Sequence, residues 1–250
     1  MIQANPPVAM SDQVGEFFSR LASFCRRHGI IGAVEEARVR AHRALFQNWK
    51  ILFYCDLQGQ AVCGKPPELP SGAAIERKSR SSEMSEKDWQ AIFKIWDPRL
   101  SRRAFAQRFA RGATMWLVRT GEEIAGYGWT LRGGTIQPDY YQLGEKDVHL
   151  FDFMVLPEFR RQGINCMLVN HIAQALAAEG RARAYIETYE WNHSMLKSLE
   201  RTNFRACGKA HKRFLQGHTV VTWSDPPTWV GTGAPFRERS SAIGGKCGAK

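Results

Sequence analysis

Three consecutive segments constrain this chain more than any other feature. Val148 to Leu156 is an apolar run, Gly163 to Ala178 carries Leu168, Ile172 and Leu176 at helical spacing, and Ala184 to Thr188 is a second apolar run. Strand, helix and strand in that order imply an α/β sheet with a crossover. The flanking sequence extends the pattern. Ala73 to Lys78 reads as a strand, and Ser85 to Trp96 as a helix with Trp89, Phe93 and Trp96 on one face. A short helix from Ser101 to Ala110 follows. Thr114 to Arg119, a Thr120-Gly121 turn and Glu123 to Leu131 form a β-hairpin, and Gly133 to Asp147 is a loop. After the second apolar strand come a helix over Ser194 to Thr202 and strands near Phe204 to Lys209 and Thr219 to Trp223.

The part before this unit has a different character. Ser11 can cap a helix in which Val14, Phe17, Phe18, Leu21, Phe24 and Cys25 recur at helical spacing, and Gly29 stops it. A second helical stretch from about Ile31 to Trp49 is studded with Arg38, Arg40, His42 and Arg43, and it leads into a strand from Lys50 to Asp56. The Gly- and Pro-rich segment from Gly59 to Gly72 reads as a linker. The expected division is therefore 1–71 for a basic helical hairpin, strand and linker, 72–224 for the α/β domain, and 225–250 for a disordered tail.

At 250 residues, 44% hydrophobic and 24% charged, the chain can bury a sizeable core. No run approaches the roughly 18 consecutive apolar residues of a membrane span, and Met1 to Met10 lacks a signal-like pattern, so a cytoplasmic location is expected. Six cysteines without C-x-x-C spacing argue for reduced thiols and against a metal site. A net charge of +11 favours anionic partners. Without a recognised motif or a dense basic stripe it does not indicate specific nucleic-acid binding. The basic N-terminal helices can dock on the chain itself, on a partner or on an anionic membrane surface.

The chemistry concentrates in Val155-Leu-Pro-Glu-Phe-Arg160-Arg161-Gln162-Gly163-Ile164-Asn165, between the first apolar strand and its helix. A loop that opens a helix presents unpaired backbone N–H groups backed by the positive end of the helix dipole. Gly163 allows close backbone approach, and Arg160 and Arg161 add positive charge, so the loop suits a pyrophosphate. Val155, Pro157, Arg160 and Gly163 match the V-x-P-x-x-R-x-x-G-x-G/A signature of the GNAT superfamily of acyl-CoA N-acyltransferases, which this sequence resembles over about residues 73–223. Asn165 departs at the last position. A second family pattern, N-x-x-A-x-x-L-Y-x-x-x-G-F, is matched by Asn192 and Phe204, while Met195, Ser198, Leu199 and Asn203 depart. Leu199 stands where many members place a tyrosine that protonates the leaving thiolate.

The resemblance implies a mixed, splayed central sheet with flanking helices, preceded here by the helical hairpin. It also implies acetyl-CoA as cosubstrate in the gap between the strand ending at Val155 and the strand from Ala184 to Thr188. Met154, Val155, Arg160, Arg161, Gln162, Gly163, Ile164, Asn165 and Asn192 are the implied CoA-binding residues, Asn192 also serving as a helix cap. The attacking amine must lose a proton. Asp152, in an apolar run and on the face opposite His149 by odd spacing, is the first candidate base, with a raised pKa if unpaired. Glu187 is a second candidate. Glu200, beside the missing tyrosine, is a substitute acid, with Tyr185 and Tyr189 as weaker ones. Tyr127 to Trp129 and Tyr140-Tyr141 can line an acceptor pocket, pack in the core or lie in a surface loop. The expected function is transfer of an acetyl group to a primary amine of a small molecule, an amino sugar among the possibilities. The rival expectation is a catalytically degenerate fold used as a binding or scaffold module.

Overall fold

The computed structural model describes residues 49–58, 72–135, 143–215 and 218–225, together with Val34, Arg38 and Val39. The expected N-terminal hairpin, the 59–71 linker, Tyr140-Tyr141 and the 225–250 tail lie outside these residues, save for those three positions and Asp225.

Among the described residues, eight strands form one mixed sheet: β1 Trp49–Asp56, β2 Ala73–Lys78, β3 Thr114–Thr120, β4 Glu123–Arg132, β5 Asp147–Val155, β6 Arg183–Tyr189, β7 Arg205–Leu215 and β8 His218–Asp225. Their order is β2-β3-β4-β5-β6-β1-β7-β8, antiparallel except for the β5–β6 pair. That parallel pair is the crossover the sequence requires, and its connection contains helix α3, Ile164–Ala178. Other helices among the described residues are α1 Glu86–Phe93, α2 Pro98–Ala110 and α4 His193–Leu199, and Val34, Arg38 and Val39 are also helical. No helix among the described residues is long and apolar enough to cross a membrane.

One strand is placed where the sequence does not suggest it. The segment Lys50 to Asp56, grouped above with the N-terminal unit, lies between β6 and β7, with Leu52 opposite Glu187 on one side and Gly208 on the other. Leu52 and Cys55 are buried. A central strand supplies hydrogen bonds to both neighbours, so the sheet takes in chain from both sides of residue 71.

The helices cover both faces. Leu168, Ile172 and Leu176 of α3 and Leu199 of α4 pack with Trp116, Val118, Val148, Leu150 and Ile186. On the other face, Trp89, Ile92 and Phe105 of α1 and α2 pack with Met115, Leu117, Tyr127, Trp129 and Phe151. The helix starts are chemically set. Ser85 and Asp88 form a reciprocal capping box on α1, and Asp97 caps α2 ahead of Pro98. Asp88 is buried yet paired to Arg119 at 2.7 Å, and Arg119 also holds Glu76 at 2.6 Å, which ties α1 to the β2–β3 edge.

Candidate active site

The site begins where the sheet opens. β5 and β6 pair only from Asp147–Arg183 to Leu150–Ile186, although β5 runs on to Val155 and β6 to Tyr189. Beyond Leu150, β5 stays with β4 through Met154–Tyr127 and Val155–Gly126, while β6 stays with β1 through Tyr189–Lys50. The two strands therefore diverge in the expected splay. Leu156 N–H donates to Ala125 at 2.9 Å, so alternation along the strand turns the N–H and C=O of Val155 to the opposite edge, facing the gap. Arg160 Nε donates to that Val155 carbonyl at 3.3 Å.

At the mouth of the gap, Arg161 and Gly163 both adopt left-handed backbone, with φ of 65° and 76°. The turn brings Gly163 to the start of α3, and no side chain caps that terminus. A Cβ at Gly163 would meet nothing within 4 Å, so the loop is open on that side of Gly163. Arg160, Arg161 and Gln162 are exposed around it, and Ile164 is buried beneath. An anion there would meet free backbone donors, the helix dipole and two guanidinium groups.

Two departures from the family pattern meet in space. Asn165 Nδ2 donates to Met195 Sδ at 3.0 Å, so the larger side chain at 165 is turned toward α4 instead of crowding the loop. Asn192 caps α4, its Oδ1 accepting from Met195 N–H at 3.2 Å. Leu199 is fully buried against α3, which leaves no hydroxyl at that position. Glu200 is exposed at the end of α4, and no described contact links it to the gap. Tyr185 is buried, accepts from Arg183 at 3.3 Å, and has its hydroxyl pushed up to about 12, first by burial and then by Asp147.

Asp152 differs from its expected setting. The β4–β5 register slips between Tyr127–Met154 and Trp129–Phe151, so two β5 residues, Asp152 and Phe153, face Gly128. Asp152 takes a φ of 52° in this bulge. Phe153 lies so close over Gly128 that a Cβ there would come within 2.5 Å of its ring. The bulge breaks the two-residue alternation. Phe151 and Asp152 both reach Arg108 of α2, and His149 stacks on Phe151 at 5.2 Å, so Asp152 lies on the side of His149 and not on the opposite face. The carboxylate is exposed and ion-paired with Arg108 instead of unpaired in an apolar run.

Glu187, the first β6 residue beyond the last β5–β6 pair, is mostly buried and ion-paired with Lys50 of β1. His149 lies beside them. Burial lowers its pKa to about 4, an effect that Glu187 opposes and Lys50 reinforces. Tyr127 and Trp129 are buried in the core, and Trp96 Nε1 donates to Tyr127 Oη at 2.8 Å. Burial and the charge of Asp152 push the Tyr127 hydroxyl strongly upward. Arg108 and Lys50 were not legible as site residues in the sequence. Each lies on an element remote from the carboxylate it meets, and basic side chains are common throughout this chain.

Residues 81–204 match the model of the acetyltransferase (GNAT) family. No curated protein matches the sequence. Among solved structures, a Drosophila protein is 17% identical with a TM-score of 0.45, covering 74% of this chain and 54% of its own. A protein from the GNAT family of Novosphingobium aromaticivorans is 17% identical with a TM-score of 0.42, covering 65% of this chain and 61% of its own. A tandem GNAT protein from the clavulanic acid biosynthesis pathway is 14% identical with a TM-score of 0.47, covering 67% and 55%. The chain thus spans little more than half the length of these three proteins. The branch between β5 and β6, the arginine- and glycine-bearing loop and the uncapped start of α3 all lie within the residues, just under half of the chain, that match the acetyltransferase (GNAT) family model.

Proposed function

We propose that the chain is an acyl-CoA-dependent N-acetyltransferase acting on a primary amine of a small molecule by direct transfer in a ternary complex. The observation that carries this reading is the alignment of the β5–β6 gap with the open N-terminus of α3. Acetyl-CoA would supply an activated acyl group as its thioester. The N–H groups of Ile164 and Asn165, with Arg160 and Arg161, would hold the pyrophosphate. Met154, Val155 and Asn192 would hold the pantetheine. The gap-facing Val155 N–H is suited to negative charge developing on the thioester oxygen, worth about 3 kcal/mol in comparable sites.

Asp152 is the proposed base. It lies on the bulge just past the branching of the strands, and a non-glycine residue in left-handed backbone is a form of strain that concentrates at functional sites. An ammonium acceptor gives one proton to Asp152, its nitrogen forms the C–N bond as the C–S bond breaks, and the second N–H proton leaves to water. The thiolate takes a proton from water, since Leu199 offers none. Glu187, held by Lys50, would assist from the other wall of the gap, and Glu200 has no role in this scheme.

Calorimetric titration of acetyl-CoA into the wild type and into Gly163→Trp tests the reading. Micromolar binding to the wild type, lost in the variant, is expected, together with CoA release when amines are added. Failure of the wild type to bind would refute it. The buried Leu199 favours a second reading, a binding module without turnover. Binding of acetyl-CoA without CoA release from any amine in a broad panel would select it.

A further inference from the structure

The Asp152–Arg108 pair bears on the acceptor. Arg108 Nη1 donates to Asp152 Oδ2, and neither side chain has another hydrogen-bond partner among the described residues. The remaining N–H groups of Arg108 and Oδ1 of Asp152 are therefore uncommitted. The guanidinium lies 5.2, 5.2 and 5.6 Å from the ring centroids of Phe105, Trp129 and Phe151. Three aromatic rings hold its position, so little freedom remains to be lost when a ligand binds. Both charged groups reach solvent, with side-chain exposures of 19% for Arg108 and 36% for Asp152.

A fixed carboxylate beside a fixed guanidinium is complementary to a ligand whose ammonium and anion are also adjacent. An amine without an anion engages only half of this pair and leaves the guanidinium in place to repel its charge. We propose that the acceptor is a zwitterion, a small molecule with a carboxylate next to its primary amine, of which an α-amino acid is the simplest form. Its ammonium sits on Asp152 Oδ1 and its carboxylate on the free N–H groups of Arg108. This inference rests on the acyltransferase reading for its location, and it replaces the amino-sugar expectation, because an amino sugar has neutral hydroxyls beside its amine.

The test is calorimetry on the full chain near neutral pH, with and without saturating CoA, using the common L-α-amino acids, the α-carboxamide of each, and glucosamine. At least one acid is expected to bind about tenfold to a hundredfold more tightly than its carboxamide and than glucosamine, the range of a hydrogen bond to a charged group. In Arg108→Gln the acid and its carboxamide should bind alike. Arg108→Lys, which retains charge but not the fork, should show an intermediate ratio. The proposal is overturned if no acid binds, if the carboxamide or glucosamine binds as tightly as the acid, or if a folded Arg108→Gln keeps the discrimination. The wild-type comparison decides the matter even if the variants do not fold. Loss of the acyltransferase reading would show separately, as absent acetyl-CoA binding, and the titrations without CoA still report on the pair.

Discussion

Mild acid offers a quantitative probe of the branch point of the sheet. His149 is buried on β5 beside Glu187 and Lys50, and burial holds its pKa near 4 against an ordinary value of 6.5. Above pH 6.5 the imidazole is neutral in both states. As pH falls toward 4 the unfolded chain takes up a proton that the folded chain resists, so stability decreases across that window. At pH 5 the difference is about 2 kcal/mol, and below pH 4 it approaches about 3 kcal/mol. Urea unfolding of wild type and His149→Gln at pH 7.5 and pH 5 isolates this contribution. Asp88 and Glu76, which ion pairs hold below the usual carboxylate range, contribute mainly below this window, and His171, also lowered by burial, affects both proteins alike. The wild type should lose about 2 kcal/mol more than the variant. Equal losses would mean that Glu187 stabilises the imidazolium enough to cancel burial, and the account of this cluster would be wrong.

Other outcomes follow from single contacts. Asp88→Ala removes a buried acceptor from Arg119 and from the α1 cap, and thermal unfolding should report a loss of about 3 kcal/mol. Lys50→Met removes a cationic partner from the mostly buried Glu187 carboxylate, and denaturant titrations should report a loss of about 1–3 kcal/mol, part of which Glu187→Gln should restore. Gly126→Ala places a Cβ 2.7 Å from the Met154 carbonyl, which must move. A stability loss of about 1–3 kcal/mol is expected. Acetyl-CoA affinity measured by calorimetry should fall as well, because Val155 moves with its β4 partner.

Much of this architecture was legible in the sequence because the signals are local. Apolar strands around a periodic helix require a crossover, and α3 starts at Gly163 as its loop implies. Asn192 caps α4 through a contact three residues away. The branch of the sheet was available only through the family pattern, since nothing in Leu150 or Ile186 marks them as the last pair. What tertiary structure alone decided are the partners of the charges and the faces of the side chains. Lys50 reaches Glu187 because β1 inserts beside β6. Arg108 reaches Asp152 because a bulge in β5 adds one residue and reverses the alternation beyond it. Side-chain alternation can be read from sequence only while the register holds, and a bulge is set by the partner strand: here Gly128 leaves room for Phe153 to fold over it. Ion pairs between remote segments have no sequence periodicity, so the pairings around the gap emerged only with the assembled sheet.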